Sequence, residues 1–343
     1  MIILISWPFN DRAYYRLGID QLEKKRIEFK ILNLFELIYP KSKNIFNDRK
    51  VYSKEITISS YRELFSYLRE EKSIFNFLNI KKETLSIFLL LTLLNKKYIA
   101  FNNMPLPLEE KISKKYILFN LFLKSASVGA VVGENERFPL SQSTRFIKIH
   151  SIDYDTYLRF EKKQEKQLVN SKYLVFIDQD LPYHLDYIRE SEKPYVTAKN
   201  YYTSLNTLFD SLEKKTGKEV VIALHPNSTT KHQYHQKTFI GETINLIKYS
   251  DGVILHSSTA LNFAIIYDKP LCMITTDEIV KSNMNQFNIV MKKALNAELY
   301  NIDKSLDISL QRYDTREYFS KYISNSKYKN KVSMEILLKE LNL

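Results

Sequence analysis

The sequence predicts an α/β protein of two Rossmann-like domains whose parallel sheets face each other across a cleft. Short apolar stretches alternate with segments of helical periodicity along most of the chain, which is typical of parallel sheets covered by helices. The alternation runs twice, and a polar helical segment at 153–170 separates the two series. With 343 residues, 44% of them apolar, the chain is long enough for two domains with separate cores.

The first series begins with a predicted strand at 2–6 (IILIS). The loop WPFNDR follows and leads into an amphipathic helix at 13–26. The apolar run at 85–94 (LSIFLLLTLL) is too short to cross a bilayer, and we expect it to be a buried helix. The other predicted elements are the strands IEFKILNL, EITISS, KYIAFNN, SVGAVVG and FIKIHS, the helix YRELFSYLREE and an amphipathic stretch at 108–125.

The second series has the clearer pattern. Gly217 follows its first helix and is expected to cap the C-terminus of that helix. We place the domains at 1–160 and 161–315, and we expect a basic, helical segment at 316–343 to pack back on the first domain. The predicted strands are YLVFIDQ, KEVVIALHP, DGVILHS and KPLCMIT, and the predicted helices between them are YYTSLNTLFDSLEKKTG, GETINLIKYS and STALNFAIIYD.

The cysteine content and the N-terminal sequence indicate the cellular compartment. Cys272 is the only cysteine, which excludes an intramolecular disulfide and a cysteine-based zinc site and favours a reducing compartment. The N-terminal MIILISWPF has no basic region and no small-residue cleavage site, so it does not read as a signal peptide. We therefore expect a soluble, cytoplasmic protein.

The net charge of +12 favours anionic partners. No zinc finger, RNP-type strand or block of basic residues points to nucleic acid, and we expect no nucleic-acid partner. The segment 311–331 interleaves Arg and Lys with Tyr and Phe. It is either a solvated connector or a patch that binds the inner face of the cytoplasmic membrane peripherally.

Three polar stretches follow predicted strands of the second series. They are 178–180 (DQD), 225–228 (HPNS) and 256–259 (HSST). In open parallel sheets, ligands bind beyond the carboxyl ends of the strands. These stretches therefore form the predicted site.

The stretch 256–259 is suited to a phosphate. Ser257, Ser258 and Thr259 stand where a strand meets a helix, whose first turn presents free N–H groups and a partial positive charge. Such hydroxyls can also serve only as a helix cap. His225, at an equivalent strand end, can donate a hydrogen bond to a leaving phosphate or can be a structural residue.

The pair of motifs carries a resemblance. "ALHPNS" followed by "SDGVILHSSTALNFAIIYDKP" resembles the nucleotide-binding half of GT-B glycosyltransferases, in particular bacterial enzymes that use CMP-activated sugars, such as sialyl-, other nonulosonic acid and Kdo transferases. The resemblance covers about residues 171–278. It implies that His225-Pro226 and Ser257-Ser258 hold the CMP portion of the donor. The adjacent candidates for donor binding are Asn227, Ser228, His256 and Thr259.

The resemblance implies a metal-independent, inverting transfer of an acidic sugar (sialic, pseudaminic or legionaminic acid, or Kdo) to a glycan or lipid-linked glycan acceptor. The N-terminal ISWPFNDRAYYRLGIDQLEKK also resembles surface-carbohydrate biosynthesis proteins. No cofactor besides the CMP-sugar donor is expected. Other readings are a UDP- or GDP-sugar GT-B transferase, a CDP-alcohol phosphotransferase, a sugar-nucleotide epimerase, and a non-catalytic basic protein that binds anions or nucleic acid.

The general base is the open assignment. The acidic pair followed by glycine that sialyltransferases carry does not occur in this sequence. Asp178 and Asp180 are the nearest candidates, Asp11 in the loop after the first strand is another, and Glu134 is weaker.

Two further features are less specific. His232 and His235 lack a carboxylate cluster, so we expect no metal there, whereas Arg12 and Arg16 either bind an anionic acceptor or are solvated.

Overall fold

The structure of the protein is a computed structural model. It describes residues 1–7, 9–41, 52–102, 104–107, 122–133, 145–184, 187, 193–228, 231–256, 258–324 and 326–343. The chain divides into two compact units: residues 1–156 with 320–343 form the first, and residues 157–319 form the second.

The described residues contain parallel strands and short helices in alternation. The strands are β1 (Ile2–Ile5), β2 (Lys30–Asn33), β3 (Glu55–Thr57), β4 (Ile74–Asn76), β5 (Tyr98–Asn102), β6 (Val128–Val132), β7 (Arg145–Ile149), β8 (Tyr173–Ile177), β9 (Glu219–Leu224), β10 (Lys237–Ile240), β11 (Gly252–Leu255), β12 (Leu271–Thr275) and β13 (Leu299–Asn301). The helices are α1 (Asp11–Arg16), α2 (Ile19–Lys24), α3 (Phe35–Ile38), α4 (Tyr61–Glu70), α5 (Leu85–Leu93), α6 (Ile152–Lys163), α7 (Ala198–Thr216), α8 (Thr243–Tyr249), α9 (Leu261–Ile266), α10 (Asp277–Val280), α11 (Asn285–Leu295), α12 (Arg316–Tyr322) and α13 (Ser333–Glu340).

Each unit contains one parallel sheet of the Rossmann order. The first sheet runs β3-β2-β1-β4-β5-β6-β7 and the second runs β10-β9-β8-β11-β12-β13. In both, the chain adds two strands on one side of its first strand and then continues on the other side. The predicted α/β class with two Rossmann-like domains is therefore confirmed.

Helices cover both faces of the first sheet. One core combines β1 and its neighbours with apolar side chains of α1, α2 and α13. The other combines the opposite face of the sheet with α3, α4 and α5. The strands are buried on both faces, which explains why they read as continuous apolar runs rather than as alternating patterns.

The helix predicted at 13–26 is two helices in the structure. Gly18 separates α1 from α2 with a φ of 68°, in the left-handed region that favours glycine. A Cβ on Gly18 would lie 2.3 Å from Cβ of Met334 in α13. The break therefore lets the C-terminal helix pack closely on the first unit. Gly217 ends α7 in the same left-handed conformation (φ 66°), as predicted.

The expectation that 85–94 is a buried helix is only half right. In α5, Ile87, Phe88 and Leu91 are buried against the sheet. Leu89 and Leu93 are exposed, because α5 is the outer layer on its side of the sheet and only one face of a helix can contact it. The apolar composition predicts a buried helix but does not reveal this outer face.

The described part of 311–331 favours the connector over the membrane patch, the two alternatives for this segment. In the described part of this segment, Tyr313, Phe319, Tyr322 and Tyr328 are half-buried and Tyr318 is buried. Its basic side chains also lie beside acidic ones, as Arg312 does with Asp268, Arg316 with Asp314, Lys327 with Glu340 and Lys331 with Glu335. An interfacial patch needs exposed aromatic rings and unneutralised basic groups.

The pattern did not predict β4, β10 and β13. β4 and β13 have three residues each, too few for a periodicity. β10 lies at the sheet edge and is half exposed, so it lacks the apolar signature of the inner strands. Across the described part of the chain, no helix combines the length and the apolar character that a bilayer span requires.

Candidate functional site

The sheet of the second unit brings the three polar stretches to one edge. β8 pairs with β9 on one side and with β11 on the other, with Ile177 beside Ala223 and beside Leu255. Asp178, His225 and His256 follow these strands directly or within one residue. The order reverses between β8 and β11, since β9 and β10 extend the sheet one way and β12 and β13 the other. Such a reversal is where Rossmann-type sheets bind ligands.

Asp178 is an internal carboxyl group. It is 1% exposed, and its Oδ1 accepts hydrogen bonds from the Tyr234 hydroxyl at 2.7 Å and from the Asp180 backbone N–H at 3.1 Å. Burial raises its pKa, and the hydrogen bond from Tyr234 and backbone N–H groups, including that of His225, oppose the rise. Asp178 therefore ties the end of β8 to the loop that follows β9.

Asp180 completes the tight turn after β8. It is 2% exposed and has a φ of 50°, a conformation that Asp tolerates better than most residues. A general base must come within hydrogen-bonding distance of the acceptor hydroxyl. Because both Asp178 and Asp180 are enclosed, the structure argues against the predicted role of either as the base.

A group of tyrosines surrounds Asp178 and was not predicted. Tyr201 and Tyr202, in the first turn of α7, are each 1% exposed, and the Tyr202 ring lies 5.0 Å from that of Tyr234. Burial, together with the nearby Asp178 carboxyl, raises the pKa values of Tyr201 and Tyr202. The Tyr pair reads as ordinary helical core in the sequence. Only the sheet order places it beside the acidic strand end.

His256 belongs to the core of the second unit. It is fully buried, and its ring packs on Phe176 and Tyr201 with centroid distances of 5.4 and 5.6 Å. Nδ1 lies 3.1 Å from the Ile274 carbonyl oxygen of β12, and burial lowers the pKa of the ring to about 4. The imidazole is thus neutral at pH 7 and donates from Nδ1. This geometry argues against the predicted phosphate contact of His256.

His225 has a different environment. It is half-buried, and its Nδ1 accepts a hydrogen bond from the Asn227 backbone N–H at 3.3 Å. In the neutral ring the proton then resides on Nε2, which is the nitrogen able to donate to a ligand oxygen. The His184 ring lies 4.9 Å from the His225 ring, a neighbour that the sequence did not indicate.

The stretch 225–228 forms a turn. The Ser228 N–H donates to the His225 carbonyl oxygen at 2.8 Å, and Pro226 and Asn227 are its central residues. Pro226 presets the backbone for such a turn. Pro226 and Ser228 are half-buried, and Asn227 is exposed. Further along the connection to β10, Asn206 of α7 donates to the Gln233 carbonyl oxygen at 2.8 Å.

The hydroxyl stretch is arranged differently from the expectation. Ser258 is 3% exposed, and its Oγ accepts from the Ala260 N–H at 3.2 Å. The Ser258 carbonyl oxygen accepts from the Leu261 N–H, and the N–H groups of Asn262 and Phe263 donate to the carbonyls of Thr259 and Ala260. These N–H groups are satisfied within the turn, and α9 has only six residues.

The prediction that Ser258 and the free N–H groups of a helix end bind a phosphate is therefore wrong for Ser258. Its hydroxyl is used as a local cap, the alternative that the sequence left open. Thr259 is half-buried and is the described hydroxyl that reaches the surface in this turn. Ser257 lies outside the described residues.

The equivalent edge of the first sheet carries Asp11, Arg12 and Arg16. Asp11 is exposed in the first turn of α1. Burial and the charge of Arg12 lower the pKa of Arg16 to about 10, and the charge of Asp153 acts in the opposite direction. The Arg12 and Arg16 guanidinium groups thus lie close to each other and to the Asp153 carboxylate. Glu134 lies outside the described residues.

The described residues contain no cluster of side chains arranged as a metal site. No group of three His, Cys, Asp or Glu side chains in this part of the chain is arranged to hold a metal ion. Nδ1 of His235 lies 4.0 Å from Oδ2 of Asp210, and the His232 ring stacks on Tyr234 at 5.9 Å.

The comparisons with known proteins give structural similarity only. No protein-family model and no curated protein matches the chain. A variant of the wall teichoic acid polymerase TagF has a TM-score of 0.52 at 13% identity, over 100% of this chain and 90% of that chain. The UDP-GlcNAc 2-epimerase from Neisseria meningitidis bound to UDP-GlcNAc has a TM-score of 0.50 at 14% identity, over 100% of both chains.

The spinosyn forosaminyltransferase SpnP has a TM-score of 0.50 at 8% identity, over 98% of this chain and 92% of that chain. At such identities the similarity establishes the fold and not the activity. The chain has a GT-B-like fold of two Rossmann-like units.

Proposed function

We propose that the chain is a glycosyltransferase that binds a nucleotide-activated sugar at the carboxyl edge of its second sheet. The observation that carries the proposal is the position of His225. It lies next to the strand at which the sheet order reverses, and in its neutral ring Nε2 carries the proton, so this nitrogen has the chemistry to donate to a phosphate oxygen. The hydrogen bond from the Tyr234 hydroxyl to Asp178 connects the end of β8 with the loop after β9 and so stabilises this edge.

Two observations favour different donors. The N. meningitidis epimerase is bound to UDP-GlcNAc, and S. aureus MnaA, with a TM-score of 0.50 at 11% identity, was solved with UDP. These structures favour a UDP-sugar as the first candidate. The His225-Pro226 motif and the serine-rich turn favour a CMP-activated acidic sugar as the second.

The reaction is the same in outline for either donor. An acceptor hydroxyl attacks the anomeric carbon, the bond from that carbon to the nucleotide phosphate oxygen breaks, and the nucleotide leaves with the electron pair. His225 donates a hydrogen bond to the departing phosphate and offsets its developing charge. A single displacement of this kind inverts the configuration.

Asp11 is the proposed general base. It is exposed at the carboxyl edge of the first sheet, whereas Asp178 and Asp180 are enclosed. Its carboxylate takes the proton of the acceptor hydroxyl. The neighbouring Arg12 and Arg16 carry the positive charge for an anionic group on a glycan or lipid-linked glycan acceptor. In this mechanism no metal is required, so turnover should persist in EDTA, and loss of turnover that a divalent ion restores would contradict it.

A nucleotide panel tests the proposal. Thermal unfolding is measured with UMP, UDP, UDP-GlcNAc, CMP, CDP and GDP. We expect stabilisation by one base class, because a ligand that binds only the native state raises its unfolding free energy. Selective stabilisation by uridine nucleotides assigns the first donor candidate, and selective stabilisation by CMP assigns the second. The absence of stabilisation by every nucleotide would contradict a nucleotide-sugar enzyme.

Matched histidine variants locate the site. His225→Ala should abolish the nucleotide shift and leave the unliganded melting temperature close to that of the unmodified protein. His235→Ala is the control, since His235 is exposed in the same connection between β9 and β10. An unchanged shift in His225→Ala would remove His225 from the site. Donor consumption without acceptor would instead indicate the epimerase reading.

A further inference from the structure

The outer faces of α4 and α5 expose large apolar side chains. Leu93 is 82% exposed, Leu89 is 42% exposed and Phe65 is 41% exposed. Phe122 is 67% exposed and Tyr61 is 46% exposed. We define the outer patch as these five residues. All belong to the first unit. Single exposed leucines are ordinary, but several on neighbouring elements indicate an interaction surface.

Hydrogen bonds show that the outer patch is continuous. The Tyr61 hydroxyl bonds to Ser86 Oγ and joins the first turns of α4 and α5. At the other end, Lys96 Nζ donates to the carbonyl oxygens of Arg69 and Glu71 at 2.8 and 2.9 Å. The two helices therefore lie side by side along their length, with their exposed faces next to each other.

Phe122 is linked to the same surface. The Lys124 backbone N–H donates to Thr92 Oγ1 at 2.9 Å, and Lys124 Nζ donates to the Asn95 carbonyl oxygen at 2.9 Å. These bonds hold the chain after Phe122 against the last turn of α5. The ring and the exposed Leu93 side chain are thereby brought to the same end of the outer patch.

Basic residues outnumber acidic ones on the elements that carry the outer patch. In the region made of 61–97 and Lys124, eight residues are basic and four are acidic. The basic residues are Arg62, Arg69, Lys72, Lys81, Lys82, Lys96, Lys97 and Lys124, and the acidic residues are Glu63, Glu70, Glu71 and Glu83. Exposed Leu and Phe side chains together with an excess of Lys and Arg on the same elements are typical of a surface that enters the headgroup region of an anionic bilayer.

We propose that the outer patch docks the protein on an anionic lipid surface. Leu89, Leu93 and Phe122 enter the boundary between headgroups and acyl chains, and exposed basic residues of the same elements, such as Lys82 and Lys97, bind phosphate headgroups. A protein partner fits less well, since Lys is depleted in protein interfaces. The inference does not depend on the nucleotide site of the second unit.

Vesicle co-sedimentation tests the docking surface. The full chain is mixed with vesicles of phosphatidylcholine alone, or of phosphatidylcholine with 30% phosphatidylglycerol, at low salt and in 0.5 M NaCl. We expect binding to the anionic vesicles at low salt, with a strong decrease at high salt. The double variant Leu89→Ser/Leu93→Ser should lower the partition coefficient roughly tenfold. Its control is Ile240→Ser/Ile289→Ser, which removes two residues with 54% and 55% exposure from the second unit.

A charge variant gives an independent readout. Lys82→Glu/Lys97→Glu should lower binding to anionic vesicles by roughly fivefold or more for each residue, because each basic group near such a surface contributes about this factor. Lys199→Glu/Lys292→Glu, on exposed sites of α7 and α11, is the control and should have a smaller effect. Unchanged melting temperatures show that each variant is folded.

Three outcomes would overturn the proposal. The first is no binding of the unmodified chain to anionic vesicles. The second is an equal loss of binding in the outer-patch variants and their controls. The third is a dimer in sedimentation velocity without lipid that Leu89→Ser/Leu93→Ser converts to monomers, which would make the outer patch an interface between two copies of the chain.

Discussion

The carboxyl edges of the two sheets have the same topology and opposite chemistry. Both lie where the strand order reverses in a Rossmann-type sheet. In the second unit this edge is built over buried polar groups, with Asp178 and His256 at 1% and 0% exposure. In the first unit it carries the exposed Asp11 and a pair of arginines.

Under the proposed function, the topology determines where a ligand binds and the side chains determine which ligand it is. The enclosed edge is stabilised by the hydrogen bond between Tyr234 and Asp178, and the half-buried imidazole of His225 lies at it. That arrangement suits a site which must hold one phosphate in one orientation. The open edge has an unburied carboxylate beside two arginines, which suits a polar acceptor. The predictions below test this division of roles.

The largest expected effect is on turnover. Asp11→Asn removes the proposed base of the open edge and should lower kcat by roughly 10² to 10⁴-fold, with the nucleotide-induced thermal shift retained. Steady-state kinetics with the donor identified by the nucleotide panel measure this. Asp178→Asn, at the enclosed edge, should instead lower the melting temperature of the free protein. Full activity in Asp11→Asn would remove Asp11 as the base.

The next largest effect is expected on stability, from a Cβ added at one glycine in each unit. Gly133 has a φ of 57°, and a Cβ there would lie 2.1 Å from the Ser320 carbonyl oxygen. Gly133→Ala should therefore lower the free energy of unfolding by about 3 kcal/mol or more. Gly217→Ala has a similar φ with open space around it and should cost only about 1 kcal/mol. Urea denaturation measures both, and equal losses would contradict the close approach of residue 320.

The buried histidine makes the second unit sensitive to acid. The pKa of His256 is lowered from 6.5 to about 4, so the native state binds fewer protons than the unfolded chain below pH 6.5. The unfolding free energy should fall as the pH decreases from 6.5 to 4, by roughly 3 kcal/mol from this residue. The raised pKa of Asp178 acts in the opposite direction.

Comparison with His256→Leu isolates the share of His256. Denaturation of the unmodified chain and of the variant is followed between pH 4 and 7. His150 of the first unit is also buried with a lowered pKa, and it stays in both proteins. The variant should lose less stability at low pH than the unmodified chain. Parallel pH profiles would contradict a buried neutral imidazole at this position.

A smaller effect is expected from one hydroxyl group. Tyr234→Phe leaves the buried Asp178 carboxyl without its 2.7 Å donor and should cost about 1 to 3 kcal/mol of stability. Tyr98→Phe in the first unit removes a 2.9 Å bond to the Lys124 carbonyl oxygen and should cost about 1 kcal/mol. Guanidinium denaturation measures both. A Tyr234→Phe cost below that of Tyr98→Phe would show that the hydroxyl does not stabilise Asp178.

Much of the fold could be predicted because buried parallel strands read as apolar runs. β8, β9, β11 and β12 are each four to six residues long and almost wholly buried. The edge strand β10 and the break at Gly18 depend on tertiary contacts, and these have no local signature. The same holds for the outer face of α5, whose exposure depends on what packs against it.

The sequence predicted where the candidate site lies in the fold, but it did not predict which of its side chains are buried. The strand ends locate Asp178, His225 and His256, since polar residues after apolar runs are a local signal. Whether each side chain faces inward is decided by neighbours distant in sequence. Ile274 binds the ring of His256, Tyr234 binds Asp178, and the Ala260 N–H binds the Ser258 hydroxyl. The first two pairings join residues distant in sequence and cannot be inferred from the motif, whereas the third is the local helix cap that the sequence left open as an alternative.

Hydrogen–deuterium exchange with a bound nucleotide tests the central claim most directly. The chain is measured free and with saturating UDP, and in parallel with saturating CMP. The account predicts that the nucleotide which stabilises the chain slows exchange at 178–183 and 225–228 and leaves exchange at 5–16 in the first unit unchanged. Protection confined to 5–16, or no protection in the second unit with either nucleotide, would contradict the assignment of the donor site to its enclosed edge.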